Sequence, residues 1–144
     1  MQGLNINSNF VNFINFPKEY VDMLKQAAIL TLKSEKVRKY QINFIMISDK
    51  EIKSLNTKYR KTKRITDVIS FLVIPEKLVG DIYISDNRTK KQAKRYNNTW
   101  QEELGYLAIH GILHLCGYID YDLENKIKMF SKQDKIFKCL FSHG

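Results

Sequence analysis

The chain has 144 residues, of which 44% are hydrophobic, so its size and composition fit one folded domain without a segment long enough to span a membrane. Its 24 Lys and Arg residues outnumber 15 Asp and Glu residues, giving a net charge of +9, which favours nucleic acid among possible partners but also serves solubility. Its two cysteines exclude a disulfide framework, and its N-terminus lacks a secretion signal, so we expect a cytoplasmic protein.

The first half of the chain predicts alternating strands and helices. A short strand is expected around residues 4–6, and alternating apolar residues predict a strand over residues 42–47. Ser48 and Glu51 form a capping box that opens a short helix after this strand. An amphipathic helix is predicted over residues 17–34, where a proline opens the helix and residues for its core face recur at helical spacing, namely Tyr20, Leu24, Ala27, Ala28 and Thr31.

The middle of the chain predicts two paired strands between two basic clusters. Residues 58–64 are basic without a periodic apolar face, so we expect a loop there. Branched and aromatic residues predict a strand over residues 68–74. After a turn, residues 80–85 alternate in polarity and predict its antiparallel partner. A helix over residues 87–96 carries the second basic cluster.

The last third predicts two further helices. Thr99 and Glu102 form a capping box that opens a largely apolar helix ending at Gly117. Asp122 is expected to cap the last helix, whose core-facing residues would be Ile127, Phe130, Ile136, Phe137 and Leu140. The elements together predict an α+β protein, a single domain over residues 1–144, with a small mixed sheet covered by helices.

The most informative motif is a pair of histidines, His110 and His114, in the penultimate long helix. Because they are four residues apart, their side chains project from one helical face, which is typical of paired metal ligands. Gly117 lets the helix stop with a left-handed residue, and Asp120 follows this turn, where it can supply a third ligand. Neutral imidazoles favour one Zn²⁺ ion, although other divalent metals accept the same donors. Three protein ligands with an open fourth position are typical of a catalytic site.

Other assignments of these residues stay open at this point. A histidine in an apolar run is often a hydrogen-bonded core residue, and Asp120 could instead cap the following helix. His143 and Asp122 are weaker candidates for the third ligand. Glu103, two turns before His110, could orient a ligand or lie at the surface.

Four blocks of sequence carry a family resemblance. They are Leu55-Asn56 with Tyr59-Arg60, Thr66-Asp67-Val68-Ile69-Ser70-Phe71, Gly80-Asp81-Ile82-Tyr83-Ile84-Ser85, and His110-Gly-x-Leu-His114-Leu-x-Gly117-Tyr118. In this order and spacing they resemble the signature of the YbeY family. The family usually has Asp-His after Gly-Tyr, whereas this chain has Ile119-Asp120, so the resemblance implies that a carboxylate replaces the third histidine ligand.

The resemblance also implies a function, because members of the family are metal-dependent endoribonucleases of bacterial ribosomal RNA maturation. It implies RNA, and ribosomal RNA of the small subunit in particular, as the substrate, and the ribosome or its proteins as partners. It further implies a groove between the metal-binding helix and the sheet, in which Arg60 clamps a phosphate as a catalytic residue. Arg60 could equally be an exposed arginine of a basic segment.

We therefore predict a zinc-dependent endoribonuclease in which His110, His114 and Asp120 hold the ion and Arg60 neutralises charge on the phosphate. An alternative is a ribosome-associated RNA-binding factor whose metal is chiefly structural. A metal hydrolase of another substrate class is disfavoured by the basic surface. It is also disfavoured by Gly111, which stands where zinc proteases of the His-Glu-x-x-His type carry their glutamate base.

Overall fold

The computed structural model describes residues 9–60, 68–74 and 77–141, with the backbone alone for residues 56–60 and 68–74. The elements of this part of the chain are β1 (Phe10–Ile14), α1 (Lys18–Ser34), β2 (Tyr40–Ile47), α2 (Asp49–Arg60), β3 (Val68–Ile74), β4 (Leu78–Ser85), α3 (Asp86–Arg95), α4 (Trp100–Leu115) and α5 (Leu123–Phe141). None of the described helices combines the length and apolar character needed to cross a membrane. The predicted α+β class is confirmed.

The four described strands form one mixed sheet in the order β1-β2-β4-β3. β1, β2 and β4 are parallel neighbours, and α1 supplies the crossover between β1 and β2. β3 runs antiparallel to β4, with Val68 opposite Ile84, which confirms the pairing predicted from the alternating sequence. The sheet thus combines both kinds of ladder.

The core lies between the sheet and helices α1, α4 and α5. Alternate residues of the two central strands are buried, namely Ile42, Phe44, Met46, Ile82 and Ile84. α4 is the most enclosed helix of the described chain, since ten of its sixteen residues are buried. At Gly105 a Cβ atom would lie 3.1 Å from Phe141 and 3.2 Å from Met23, so the glycine permits close packing of α4 with its neighbours.

Both predicted capping boxes are present. The Thr99 side chain accepts from the backbone N–H of Glu102, whose carboxylate accepts from the backbone N–H of Thr99 in return. Ser48 and Glu51 make the same pair of contacts before α2. These contacts satisfy backbone donors that have no partner within the helix, and they fix where α2 and α4 begin.

Three sequence predictions are not confirmed by the described residues. The strand expected at residues 4–6 lies outside the described residues, and the strand described near the N-terminus is β1. The expected loop over residues 58–64 was wrong in its first three residues, which belong to α2, and its last four residues lie outside the described part. Ile127 was wrongly assigned to the core, because its side chain is 60% exposed. The buried stripe of α5 consists of Met129, Gln133, Ile136 and Leu140. Because Gln133 is polar, the stripe does not show as an unbroken helical repeat of apolar residues in the sequence.

α4 ends in a Schellman turn. The backbone N–H of Gly117 donates to the carbonyl of His114, and that of Tyr118 donates to the carbonyl of Leu113. Gly117 adopts a φ of +103°, as the sequence predicted, because a residue without Cβ enters this region at low cost. The turn brings the chain back across the end of the helix.

Gly117→Ala should destabilise the protein by about 1–2 kcal/mol, because a Cβ atom is disfavoured in left-handed backbone. Apart from Gly117 itself and its two chain neighbours, no residue of the described chain has an atom within 4 Å of the added methyl group, so the loss would come from the backbone alone. Urea denaturation measures it, and Gly117→Asn is the matched control, since asparagine tolerates this conformation better. Equal stability of Gly117→Ala and the wild type would contradict the assignment.

Candidate metal centre

The C-terminal half of α4 carries both predicted histidine ligands. His110 and His114 are partly exposed, whereas Gly111, Ile112 and Leu113 between them are buried. The alternation arises because positions i and i+4 share one face of a helix. The core therefore holds α4 in place while both rings reach its accessible side.

Three polar side chains meet at this end of α4. Nε2 of His114 lies 3.0 Å from Nε2 of His110 and 3.8 Å from Oδ2 of Asp120, and the potential ligand atoms of the three residues all lie within 4.8 Å of one another. With bonds of about 2.1 Å, a tetrahedral zinc ion separates its ligand atoms by about 3.4 Å. The two distances from Nε2 of His114, 3.0 and 3.8 Å, lie on either side of this value, so the cluster has dimensions close to those of a site for one small cation.

The Schellman turn fixes the ring of His114. Nδ1 of His114 lies 2.9 Å from the carbonyl oxygen of Tyr118. A carbonyl oxygen only accepts hydrogen bonds, so in the neutral ring Nδ1 carries the proton and Nε2 carries the lone pair. The turn at Gly117 therefore both ends the helix and sets the tautomer of a candidate ligand.

A buried side chain of α5 fixes the ring of His110. Nδ1 of His110 lies 3.0 Å from Oε1 of Gln133, and the amide nitrogen of Gln133 donates to the carbonyl oxygen of Tyr106 at 3.1 Å. The amide oxygen is thus directed to His110, whose Nδ1 must be the donor. Nε2 of His110 carries the lone pair, as it does in His114.

The arrangement therefore directs two nitrogen lone pairs and a carboxylate oxygen toward the same small volume. Lone pairs in such an arrangement repel one another unless a proton or a cation lies between them. Neutral imidazole and carboxylate are donors that zinc accepts. The side chains of His114 and Asp120 are 23% and 31% exposed, so the cluster is open to solvent on one side. The chemistry of the donor set fits a divalent cation.

Contacts from two other helices hold the turn after α4. The Tyr118 hydroxyl donates to Oε2 of Glu35, directly after α1, and Nζ of Lys132 on α5 lies 3.4 Å from the same oxygen. Burial and the nearby Glu35 carboxylate raise the pKa of Tyr118, which keeps the hydroxyl protonated as a donor. These contacts hold the Tyr118 backbone, and with it the carbonyl that His114 uses.

Two residues near the cluster, Cys116 and Asp122, are not assigned as metal ligands. Burial, followed by the charge of Glu35, raises the pKa of Cys116 to about 12, so the free thiol stays protonated, and Cys116 is not part of the cluster formed by His110, His114 and Asp120. Asp122 caps α5, because its Oδ1 accepts from the backbone N–H of Asn125 at 2.9 Å, and this hydrogen bond lowers the pKa of Asp122. Asp120 is therefore not needed as the cap.

The remaining candidates from the sequence have different outcomes. Arg60 is the last residue of α2, and its side chain lies outside the described part, so its catalytic role stays a prediction. His143 also lies outside the described residues. Glu103 accepts a hydrogen bond from the Asn98 side chain at 3.5 Å, and the orienting partner found for His110 is Gln133. Sequence reasoning missed Gln133, because its partner His110 is 23 residues away along the chain and its buried position interrupts the apolar stripe of α5.

A second polar feature lies on α3. Arg88, Lys91, Lys94 and Arg95, which we call the α3 surface, line a cavity of about 390 Å³ together with Gln92. None of these four cations has an acidic partner among the side chains that the structure describes. Nε of Arg88 is buried and has no hydrogen-bond partner within that same part. The α3 surface therefore presents positive charge that none of the described side chains neutralises.

Comparisons with known proteins agree with the geometry. The family profile described as Endoribonuclease YbeY matches residues 6–140. The Endoribonuclease YbeY of Endomicrobium trichonymphae is 69% identical over 135 residues, covering 94% of this chain and 96% of the relative. The protein of the same name from Lysinibacillus sphaericus is 36% identical over 134 residues, covering 83% of each.

The fold also resembles a solved structure. A solution structure of a Thermotoga maritima protein has a TM-score of 0.67 and 32% identity to this chain, covering 92% of this chain and 90% of that protein. The family resemblance carried by the four sequence blocks is confirmed. The chain belongs to the YbeY endoribonuclease family.

Proposed function

We propose that this protein is a metal-dependent endoribonuclease that processes ribosomal RNA, with His110, His114 and Asp120 as ligands of one zinc ion. Family membership supports cleavage of RNA. The observation that carries the metal site is the convergence of two Nε2 atoms and a carboxylate oxygen within 4.8 Å. The cytoplasmic location and the small-subunit RNA predicted from the sequence are parts of the same proposal.

The residues of the site divide the work of such a reaction. A bound divalent cation would supply a Lewis acid for a phosphate oxygen and an activated water molecule. Gln133 and the Tyr118 carbonyl hold the two neutral imidazoles with Nε2 free of a proton and available to the metal. Asp120 contributes one negative charge. Arg60 is proposed to neutralise the charge that develops on the phosphate.

The α3 surface supports a polyanionic substrate. Its four cations lie on a short helix, so several of them can contact successive phosphates of one RNA strand. Such contacts set affinity and salt dependence but carry no sequence information. We propose that the α3 surface binds the RNA backbone.

His114→Ala tests the metal centre. We expect zinc affinity to fall by at least about 100-fold, because even residues that only orient a ligand are worth 10- to 100-fold in affinity. Cleavage of ribosomal RNA should be lost while the fold is retained. Calorimetric zinc titration, a gel assay of cleavage and circular dichroism measure the three properties.

Asp122→Ala is the matched control for His114→Ala. Asp122 caps α5, so this variant should lose about 1 kcal/mol of stability and keep its cleavage rate. Cleavage by folded His114→Ala would contradict the nuclease mechanism. Unfolding of His114→Ala, or unchanged RNA function, would favour the alternative with a structural metal.

Asp120→His tests the altered third ligand. Because imidazole suits zinc better than a carboxylate oxygen does, we expect weaker zinc binding in the wild type than in the histidine variant, by about 10-fold. Competition with a chelator measures both affinities. A lower zinc affinity in Asp120→His would refute this expectation.

Replacement of Lys91, Lys94 and Arg95 together by alanine tests the α3 surface. Because each contact with a single-stranded phosphate adds about 0.7 to the slope of log affinity against log salt, the slope should decrease by about 2. Fluorescence anisotropy with labelled RNA measures it in the His114→Ala background, where cleavage does not interfere.

Lys90→Ala is the control on the same helix. Nζ of Lys90 lies 3.3 Å from Oδ1 of Asp86 and 4.4 Å from the centre of the Trp100 ring, so its charge is partly neutralised within the protein. The salt slope of this variant should change by less than one third of the change in the triple variant. A triple variant with the wild-type slope would exclude the α3 surface from RNA binding.

A further inference from the structure

We propose that Gln133 is a positioning residue of the metal centre, because its amide holds His110 in the tautomer that presents Nε2 to the ion. The inference rests on the proposed metal site, although the tautomer itself can be observed without any ion. Gln133 lies 23 residues from His110 along the chain, on α5, and no sequence motif connects the two.

The first step concerns the orientation of the Gln133 amide. Gln133 has no exposed surface, and its amide nitrogen donates to the Tyr106 carbonyl at 3.1 Å. A rotated amide would place its oxygen against that carbonyl, so two acceptors would face each other with no water to separate them. A buried polar group left in that state is costly, and the amide is therefore fixed.

The second step concerns the imidazole. With the amide oxygen fixed 3.0 Å from Nδ1 of His110, the neutral ring is stabilised when Nδ1 carries the proton. The other tautomer would place a lone pair against the amide oxygen and a proton on Nε2, where it would occupy the position of a ligand bond. The Tyr106 carbonyl thus fixes the Gln133 amide, and the amide fixes the tautomer of His110. Nε2, the nitrogen that faces His114, is therefore left without a proton.

The third step concerns the cost of this arrangement. Met129, Ile136 and Leu140, the other members of the buried stripe of α5, are apolar. An apolar residue would satisfy packing at position 133 without burying an amide. Gln133 is tolerated because each of its polar ends has a partner, and both partners lie on α4. Its contacts therefore connect α5 to a backbone carbonyl of α4 and to the His110 ring.

The test compares Gln133→Leu with Gln133→Glu. Leucine removes the acceptor, so we expect zinc affinity to fall by about 10- to 100-fold. In metal-free protein, at a pH where the rings are neutral, nitrogen-15 NMR should show that His110 shifts toward the tautomer protonated at Nε2. Glutamate keeps an acceptor for Nδ1, and because burial favours the protonated carboxyl, its hydroxyl can donate to the Tyr106 carbonyl in place of the amide nitrogen. This variant should therefore restore the wild-type tautomer and bring the zinc affinity to within a few-fold of the wild type.

Ile136→Val is the matched control, because it loosens the same stripe of α5 without removing a hydrogen bond, and it should keep both the zinc affinity and the tautomer. Wild-type affinity in Gln133→Leu, or a His110 tautomer that stays protonated at Nδ1 in that variant, would overturn the proposal. If Gln133→Leu does not fold, a His110 protonated at Nε2 in folded Gln133→Glu would overturn it instead. Failure of the wild type to bind zinc would count against the metal site, and the NMR comparison would still decide the role of Gln133.

Discussion

The constraint on which this site depends is the approach of two imidazole nitrogens to 3.0 Å, each with its lone pair directed inward. Neither ring would hold this orientation alone. One needs a carbonyl placed by a left-handed glycine, and the other needs a buried amide from a different helix. Both supports require that α4 be fixed in the core. The enclosed packing of α4 is therefore part of the chemistry of the site as well as of the stability of the fold.

Local sequence signals predicted much of the fold. The capping box at Thr99, the glycine at position 117 and the branched residues of 68–74 each act within a few neighbours, so their effects can be read from the sequence. The pairing of His110 with His114 is also a local effect, because one helical turn brings the two rings together. The approach of Asp120 to this pair also needed only a short turn.

Features that depend on contacts between distant segments were not predicted. Gln133 meets His110 because α5 packs on α4, and Glu35 meets Tyr118 across 83 positions of the chain. The error at Ile127 has a related origin. Counting apolar residues selects the wrong face of α5, because a buried glutamine replaces an apolar residue in the true stripe. Burial of a polar group is decided by its partners, which only the folded chain supplies.

Of the three side chains in the cluster, that of Asp120 lies outside α4. It lies between Ile119, which is 38% exposed, and Tyr121, which is 82% exposed. The carboxylate thus reaches the cluster from an accessible segment, whereas both histidines are carried by an enclosed helix. The candidate centre combines two side chains from a buried helix with one from a turn, so the turn is the part best able to adjust its position toward an ion.

His114 lies on α4, whereas Asp120 lies in the connection between α4 and α5. The location of the two residues on different segments has a thermodynamic consequence. An ion held by both would act as a non-covalent crosslink that closes the junction between the last two helices. Since the unfolded chain does not assemble this junction, ligand binding would be linked to folding, and a free ion concentration of about 100 times the dissociation constant would add about 2.7 kcal/mol to the free energy of unfolding. The supply of the ion would then influence how long the protein persists as well as whether it is active.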